Sequence, residues 1–271
     1  MKLAVVSIQR NRGKWLKEWI LFHHVVGVST FYIYLHKCTD NSKEILLALS
    51  SNIDIKIHLV SDDLHQPQLA SFNHAYQSYS NKADWLAFID GDEFLYPTQS
   101  DSLIDVLETY QYADISALGV YWQCFGSNGH IEDPDGLIIS DYTKRAPLTF
   151  ESNSHIKSIV RGFQGKHCQA GPNSHMFNTI LGTFDELLRP VQFGLTSNAP
   201  SYQHICINHY ACQSYDFYKT FKMNSGAADA GANLIRPETW WTRYDRNDEE
   251  EKNILRFEKK LQNLITAGIE S

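Results

Sequence analysis

Trp85-Leu86-Ala87-Phe88-Ile89-Asp90-Gly91-Asp92-Glu93-Phe94 is the stretch that decides the fold. Five apolar residues in a row suit a strand buried on both faces, as in a parallel sheet. The run ends in three acids within four residues. Asp90 and Asp92 point to the same side of an extended backbone, because side chains alternate with period two. In an open α/β sheet, ligands bind in the crevice beyond the carboxyl ends of the strands. Two hard oxygen donors there suit Mg²⁺ or Mn²⁺, ions that keep positions for water and substrate phosphates. Gly91 leaves room for a ligand to approach the backbone. The segment points to a metal-dependent enzyme acting on a phosphate-bearing substrate. Its plainer alternative is a strand-to-loop junction with solvated acids.

Upstream of it, two periodicities alternate. Residues 3–8 form a compact apolar run and read as a buried strand. Leu16, Trp19, Ile20, His23 and Val26 then recur at helical spacing, with Asn11 placed to cap that helix. Residues 31–35 are aromatic and β-branched, 42–49 form a short amphipathic helix, 53–60 alternate as a strand and 66–80 read as helical. This β-α-β-α-β-α-β order predicts a doubly wound, mostly parallel sheet with right-handed crossovers and helices on both faces. Beyond Asp92 the pattern loosens. Residues 102–110 read as a helix and 115–122 as a strand, whereas 123–205 are rich in Gly, Pro, Asn, Ser and His and read as functional loops. Residues 214–222 and 248–266 read as helices, the last packing within the fold.

The chain has 271 residues, 43% hydrophobic and 20% charged, with a net charge of −7. That length and composition describe one large α/β domain. Without a basic block, nucleic acid is excluded as the main partner. Five cysteines, at 38, 124, 168, 206 and 212, are odd in number and lack CxxC spacing. They read as reduced thiols of a cytoplasmic protein rather than a structural zinc site. The chain starts directly in a strand pattern, and no segment reads as membrane-spanning, so the expected location is cytoplasmic, with the inner membrane face open to peripheral association.

Several stretches in fixed order resemble the family 92 glycosyltransferases and their bacterial relatives in the family 2 group. They are Lys17-Glu18-Trp19-Ile20-Leu21-Phe22-His23 followed by Gly27-Val28, then Gln68, Phe72 and Asn73 ahead of Asp90-Gly91-Asp92-Glu93-Phe94. Next come Trp122 and Phe125-Gly126-Ser127-Asn128-Gly129-His130, Lys157 to Arg161, His175, and finally Ile207-Asn208-His209-Tyr210 with Ser214, Phe217 and Lys219. The matches cover about residues 1–225. Arg12 departs from the acidic residue usual after the early asparagine.

The resemblance implies a GT-A fold and a nucleotide-sugar donor, a UDP-sugar, held through Mn²⁺ or Mg²⁺. It divides one domain into a nucleotide-binding half (1–100), an acceptor-binding half (101–225) and a C-terminal helical extension (226–271). Asp90, Asp92 and His209 become the metal ligands, and Gln9, Asn11, Arg12, Gln68, Asn73, Asp90, His130 and Lys157 the donor-binding set. A metal at the departing diphosphate stabilises its growing charge as a Lewis acid. Glu93 either braces the loop or faces the acceptor, and Trp122 and Phe125 offer an apolar platform for a sugar ring. Inverting transfer needs a general base for the acceptor hydroxyl. Asp135 or Asp133, in the carboxylate cluster after His130, is the choice, with Asp185 and Glu186 a second cluster. The implied activity is transfer of a sugar to a glycan in surface polysaccharide assembly. A sugar nucleotidyltransferase is the alternative enzyme, disfavoured because residues 9–14 carry one glycine. A glycan-binding scaffold on the same fold is the non-catalytic alternative.

Overall fold

The computed structural model describes residues 1–163, 169–170, 173–192, 194–224 and 235–267. The first unit is β1 (Leu3–Gln9), α1 (Gly13–Val25), β2 (Thr30–His36), α2 (Ser42–Leu49), β3 (Asp54–Val60), α3 (Pro67–Tyr79) and β4 (Trp85–Phe88), in the alternation expected from the sequence. There follow β5 (Glu93–Pro97), α4 (Leu103–Thr109), β6 (Ala117–Cys124), α5 (Ile138–Asp141), β7 (Lys144–Arg145) and β8 (Ile156–Arg161). Short strands β9 (Gln169–Ala170), β10 (Phe177–Asn178), β11 (Thr183–Phe184) and β12 (Pro190–Val191) lead to β13 (Ile205–His209) and α6 (Tyr215–Phe217). The chain closes with α7 (Glu238–Tyr244), β14 (Glu249–Glu250) and α8 (Glu258–Thr266).

One sheet of ten strands organises these elements, in the order β12-β11-β6-β8-β4-β1-β2-β3, with β13 pairing both β5 and β6. Strands β3, β2, β1 and β4 are mutually parallel. Strand order reverses at β1, with β2 on one side and β4 on the other, so the crevice of the switch point opens beyond Gln9 and Phe88. Alternation along β1 explains the two layers. Leu3 and Val5 face a core with Leu16, Trp19 and Phe22 of α1, while Ala4 and Val6 face Phe72, Ala75 and Tyr76 of α3.

The structure departs from the sequence reading in several elements. Residues 156–161, within the stretch read as loop, form β8, which runs antiparallel between β4 and β6 in the middle of the sheet. Asn11 does not cap α1: Thr39 N–H donates to its side chain at 2.7 Å, and Asp40 accepts the Gly13 N–H at 2.8 Å instead. Only the end of 248–266 is α-helix. Glu249 and Glu250 pair with β7, and residues 253–257 make a tight 3₁₀ turn. Helix α7 was not foreseen. Ile254, Phe257 and Leu261 bury against the α1 side of the core, so α8 packs within the fold.

Cys38, Cys124, Cys206 and Cys212 are free thiols, and Cys168 lies outside the described residues. Among the described residues, no helix is long and apolar enough to cross a membrane.

Candidate active site

Helix α1 fixes the acidic segment through one of its faces. Trp19 donates from Nε1 to the Glu93 carbonyl at 2.8 Å, and His23 Nε2 accepts the Leu95 N–H at 3.1 Å. His23 Nδ1 lies 2.8 Å from the Trp19 carbonyl, and burial lowers its pKa to about 3, so it is a neutral structural histidine. Glu18, on the same face, receives the N–H groups of Ile138 and Ile139 at the start of α5. The Glu-Trp and histidine motif is therefore a brace.

Asp90 and Asp92 stand on the turn after β4. Gln68 of α3 donates to Asp90 Oδ1 at 2.5 Å, and Lys157 of β8 lies 2.7 Å from Asp90 Oδ2. Both oxygens of Asp90 thus have protein partners. Lys157 is 1% exposed and also lies 3.7 Å from Glu93 Oε1. Glu93 is fully buried, its Oε2 accepting the Asp90 N–H at 2.9 Å, so it braces the turn from beneath. Burial pushes its carboxyl well above the usual range, and Lys157 opposes that rise. Gly91 does not leave an open space, since a methyl there would collide with the Gln9 side chain.

Asp92 is the most heavily supported acid. Its Oδ2 lies 2.5 Å from Lys222 Nζ, and its Oδ1 lies 3.8 Å from His209 Nε2. Burial by itself would raise its carboxyl, but Lys222, His209 and Arg12 outweigh burial and hold it far below the usual range. His209 arrives by register: β13 pairs antiparallel with β5, setting His209 opposite Glu93, and parallel with β6, setting it beside Cys124. Burial lowers the His209 pKa to about 3, despite the pull of Asp92, leaving a neutral imidazole with a lone pair to offer. Lys222 comes from the turn after α6, residues 218–222, which winds more widely than an α-helix with Met223 N–H bonded to the Tyr218 carbonyl. Such wide turns recur at functional sites.

Around these groups opens a cleft of about 310 Å³. Gln9, Arg12, Gln68, Asp90, Asp92 and His209 line it, as the sequence reading grouped them. Arg10, His175, Lys222, Arg236, Trp240 and Tyr244 line it too. These were not in the site set; only the basic residues after Ser214 hinted at Lys222. Arg12 is buried, donating to the Gly91 carbonyl and to Gln213 Oε1, both at 3.0 Å, with its guanidinium 4.6 Å from the Trp15 ring centre. Arg10, Arg12, Lys222 and Arg236 against Asp90 and Asp92 make the cleft cationic within an acidic chain.

Other expected residues lie elsewhere. Asn11 lines an adjoining depression that shares Arg10 with the cleft. Asn73, on α3, and His130 are not among the cleft-lining residues. His130 instead has Nε2 3.1 Å from the Asp141 carbonyl and its ring edge-on to Tyr142. The structure also keeps the base candidates out of the cleft wall. Asp133 accepts the Ser214 hydroxyl at 2.5 Å and stands near Lys14, which pins its loop to α1, while Asp135 is solvent-exposed. Asp185 is spent on Tyr121, Leu187 and Arg189, and Glu186 on the N–H groups of Gln203, His204 and Ile205. Phe125 is core, against Tyr210.

Among the described residues, no three His, Cys, Asp or Glu side chains gather around one point. A divalent ion would therefore draw two protein donors, Asp92 Oδ1 and His209 Nε2, which face each other. That set fits an ion whose remaining shell is phosphate and water.

A switch-point crevice bearing paired carboxylates under a surplus of cation has the charge to suit a phosphorylated ligand. The sequence profile of glycosyltransferase family 92 matches residues 4–242. The chain belongs to glycosyltransferase family 92, and its architecture is α/β. A family 92 protein of Oryza sativa subsp. japonica is 30% identical over 161 residues, covering 59% of this chain and 26% of the relative. One of Arabidopsis thaliana is 31% identical over 170 residues, covering 59% and 28%. The chain thus spans about a quarter of the length of these relatives. Among solved structures, TarS of S. aureus in complex with UDP aligns with TM-score 0.40 and 14% identity, over 60% of this chain and 47% of that one. Glucosyl-3-phosphoglycerate synthase of Mycobacterium tuberculosis, with Mn²⁺, UDP and glucosyl-3-phosphoglycerate, aligns with TM-score 0.30 and 13% identity over 45% and 44%.

Proposed function

We propose that this chain is a metal-dependent glycosyltransferase that moves a sugar from a UDP-sugar to a glycan acceptor with inversion, in surface polysaccharide assembly. The observation that carries the reading is Asp92: a buried carboxylate at the switch point, facing His209 on one oxygen and Lys222 on the other. Residues 1–100 form the nucleotide-binding half, 101–225 the acceptor-binding half and 226–271 a C-terminal extension.

Asp92 and His209 would hold the ion, Mn²⁺ or Mg²⁺, which would supply charge stabilisation at the diphosphate. Asp90, fixed by Gln68 and Lys157, would serve the ion or the ribose. Lys222 and Arg10 meet the diphosphate, with the buried charge of Arg12 beneath. As the acceptor oxygen bonds to the anomeric carbon, the bond to the diphosphate oxygen breaks and negative charge grows there. Preorganised cations stabilise that charge without reorganising. The nucleoside extends past Arg10 into the depression lined by Asn11, Lys37 and Asp62.

A thermal-shift screen of nucleoside diphosphates and nucleotide sugars, with and without Mn²⁺, tests this. At a ligand concentration 100-fold over Kd, UDP with Mn²⁺ should add about 2.7 kcal/mol, roughly 5–10 °C. The Asp92→Ala variant should keep its fold and lose transfer about 100-fold or more. Full activity in that variant sinks the assignment, and silence towards every nucleotide favours the scaffold.

A further inference from the structure

The cleft has two parts of different chemistry. At one it shares Arg10 with the depression proposed for the nucleoside, whose lining among the described residues runs from Arg10 to Asp62 and includes no aromatic ring. The other carries rings: Phe217 and Phe221 on α6 and the wide turn, and Trp240 and Tyr244 on α7. Phe221, Trp240 and Tyr244 are each half-buried, so part of each side chain still meets solvent.

The composition of α7 does not suit a merely structural helix. Glu238-Thr239-Trp240-Trp241-Thr242-Arg243-Tyr244 carries three large rings, yet each of its residues remains at least partly exposed. Apolar area stabilises a fold only where it leaves water, so half-covered rings serve a brace poorly. The three rings also divide their tasks. Trp241 turns to Tyr215 and Tyr218, with ring centres 5.2 and 5.0 Å away, and fastens the helix to α6 and the wide turn. Trp240 and Tyr244 are four residues apart and share the other face, stacked with centres 4.8 Å apart and planes at 22°. That pair is what α7 presents to the cleft.

A short run of contacts ties the pair to the acidic turn. Lys222, whose ammonium lies 2.5 Å from Asp92, accepts the Arg236 guanidinium at its carbonyl at 3.3 Å. That guanidinium lies 5.9 Å from the Trp240 ring centre. Tyr218, on the same wide turn as Lys222, stacks with Trp240 at 5.9 Å and donates its hydroxyl to the Arg236 carbonyl at 2.9 Å. The aromatic pair is thus two residues removed from Asp92. A pyranose ring turns C–H groups outward on its faces and hydroxyls around its rim. Aromatic carbon on one side of a cleft and charged, hydrogen-bonding groups on the other match that division. A diphosphate has no apolar surface to offer these rings, and the nucleoside is placed beyond Arg10.

We propose that Phe221, Trp240 and Tyr244 form the wall against which a sugar ring of the acceptor packs. Helix α7, which lies in the C-terminal extension, then belongs to the acceptor site. The inference rests on the transfer reading above, which is what makes that sugar the acceptor. It also moves the aromatic platform expected at Trp122 and Phe125, since His155 already stacks on Trp122 at 4.9 Å and Phe125 packs on Tyr210 in the core.

The test uses the full chain with Mn²⁺ and UDP, and reads saccharide binding by calorimetry. The probes are methyl glucoside, methyl galactoside, lactose, maltose, cellobiose and N,N′-diacetylchitobiose. At least one should bind the parent. Trp240→Ala should weaken that saccharide about tenfold, with UDP affinity within about threefold, and Trp240→Phe should restore most of the loss. Saccharide affinity within about twofold of the parent in both Trp240→Ala and Tyr244→Ala overturns the proposal. So does an equal loss of saccharide and UDP affinity, the mark of a ring that only props Lys222 or meets the nucleoside. A parent that binds UDP but none of the saccharides overturns the wall and leaves the donor reading standing. A parent that binds a saccharide through Trp240 but no UDP keeps the wall and defeats the transferase.

Discussion

Replacing Lys157 by methionine removes a buried charge while keeping volume and stem. The ammonium is 1% exposed, 2.7 Å from Asp90 and 3.7 Å from the fully buried Glu93. Removing one partner of a buried pair costs about 3–5 kcal/mol, because the other charge stays behind uncompensated. Asp90 is about one-third exposed and rehydrates, and Glu93, which burial already pushes up, takes a proton once the opposing ammonium is gone, so the expected loss is at the lower end, about 3 kcal/mol. At about 2–4 °C per kcal/mol for a chain near this size, Tm should fall by roughly 6–12 °C in calorimetry or circular dichroism. Adding Glu93→Gln should then recover most of the loss, because an amide needs no cation, with a coupling of about 1 kcal/mol or more in the double-mutant cycle. A Tm within about 2 °C of the parent, or strict additivity of the two changes, would refute the electrostatic account of the turn.

Three further changes probe other parts of the molecule. Lys222→Met should weaken UDP binding about 10- to 100-fold yet strengthen Mn²⁺ binding in the absence of nucleotide, since the ammonium competes for Asp92; calorimetric shifts of the same sign would contradict this. Burial pushes Glu18 up to about 7, the Ile138 and Ile139 N–H groups opposing the rise. A folded pKa above the unfolded value means the folded chain holds the proton longer. Stability is therefore full below about pH 4.5 and falls as pH rises through about 7, by up to about 3 kcal/mol, a slope that urea titrations should find missing in Glu18→Gln. Glu186→Ala strands the N–H groups of Gln203, His204 and Ile205, so it should cost about 2–4 kcal/mol of stability while UDP affinity is untouched.

Periodicity made the first hundred residues legible because each element there is buried on a defined face. Helix α2 matches its expected bounds to the residue, and the acid pair falls where a buried strand must end. The second half obeyed no such rule. Strand β8 is only six residues long and carries a lysine, so hydropathy reads it as loop, although a buried ammonium between Asp90 and Glu93 is what the middle of the sheet requires there. His209 was nameable because its segment resembles a known motif, and its register with β5 and β6 accounts for its place opposite the acids. Lys222 and α7 carried no comparable signal: their roles depend on how a wide turn and an exposed aromatic helix lie over a cleft built by other elements. The loop carboxylates at 133, 135, 185 and 186 show the converse. Acids clustered in sequence looked like chemistry, but Asp133, Asp185 and Glu186 are hydrogen-bond hubs that hold loops in place.

The insertion of β8 between β4 and β6 also bears on how the chain acquires its activity. Asp90 waits 67 positions for Lys157, Asp92 waits 130 for Lys222, and Arg12 waits 201 for Gln213. Contacts so distant in sequence must close long loops before they return any stabilisation, which makes them late events in folding. During synthesis the N-terminal half emerges first, with the β4 edge unpaired and the acidic turn lacking both its lysines. Such an intermediate has the crevice but not the charge balance to hold a diphosphate. On the proposed function, nucleotide binding would report that β8 and the wide turn are in place, and a donor recognising only the finished sheet would stabilise the molecule from end to end.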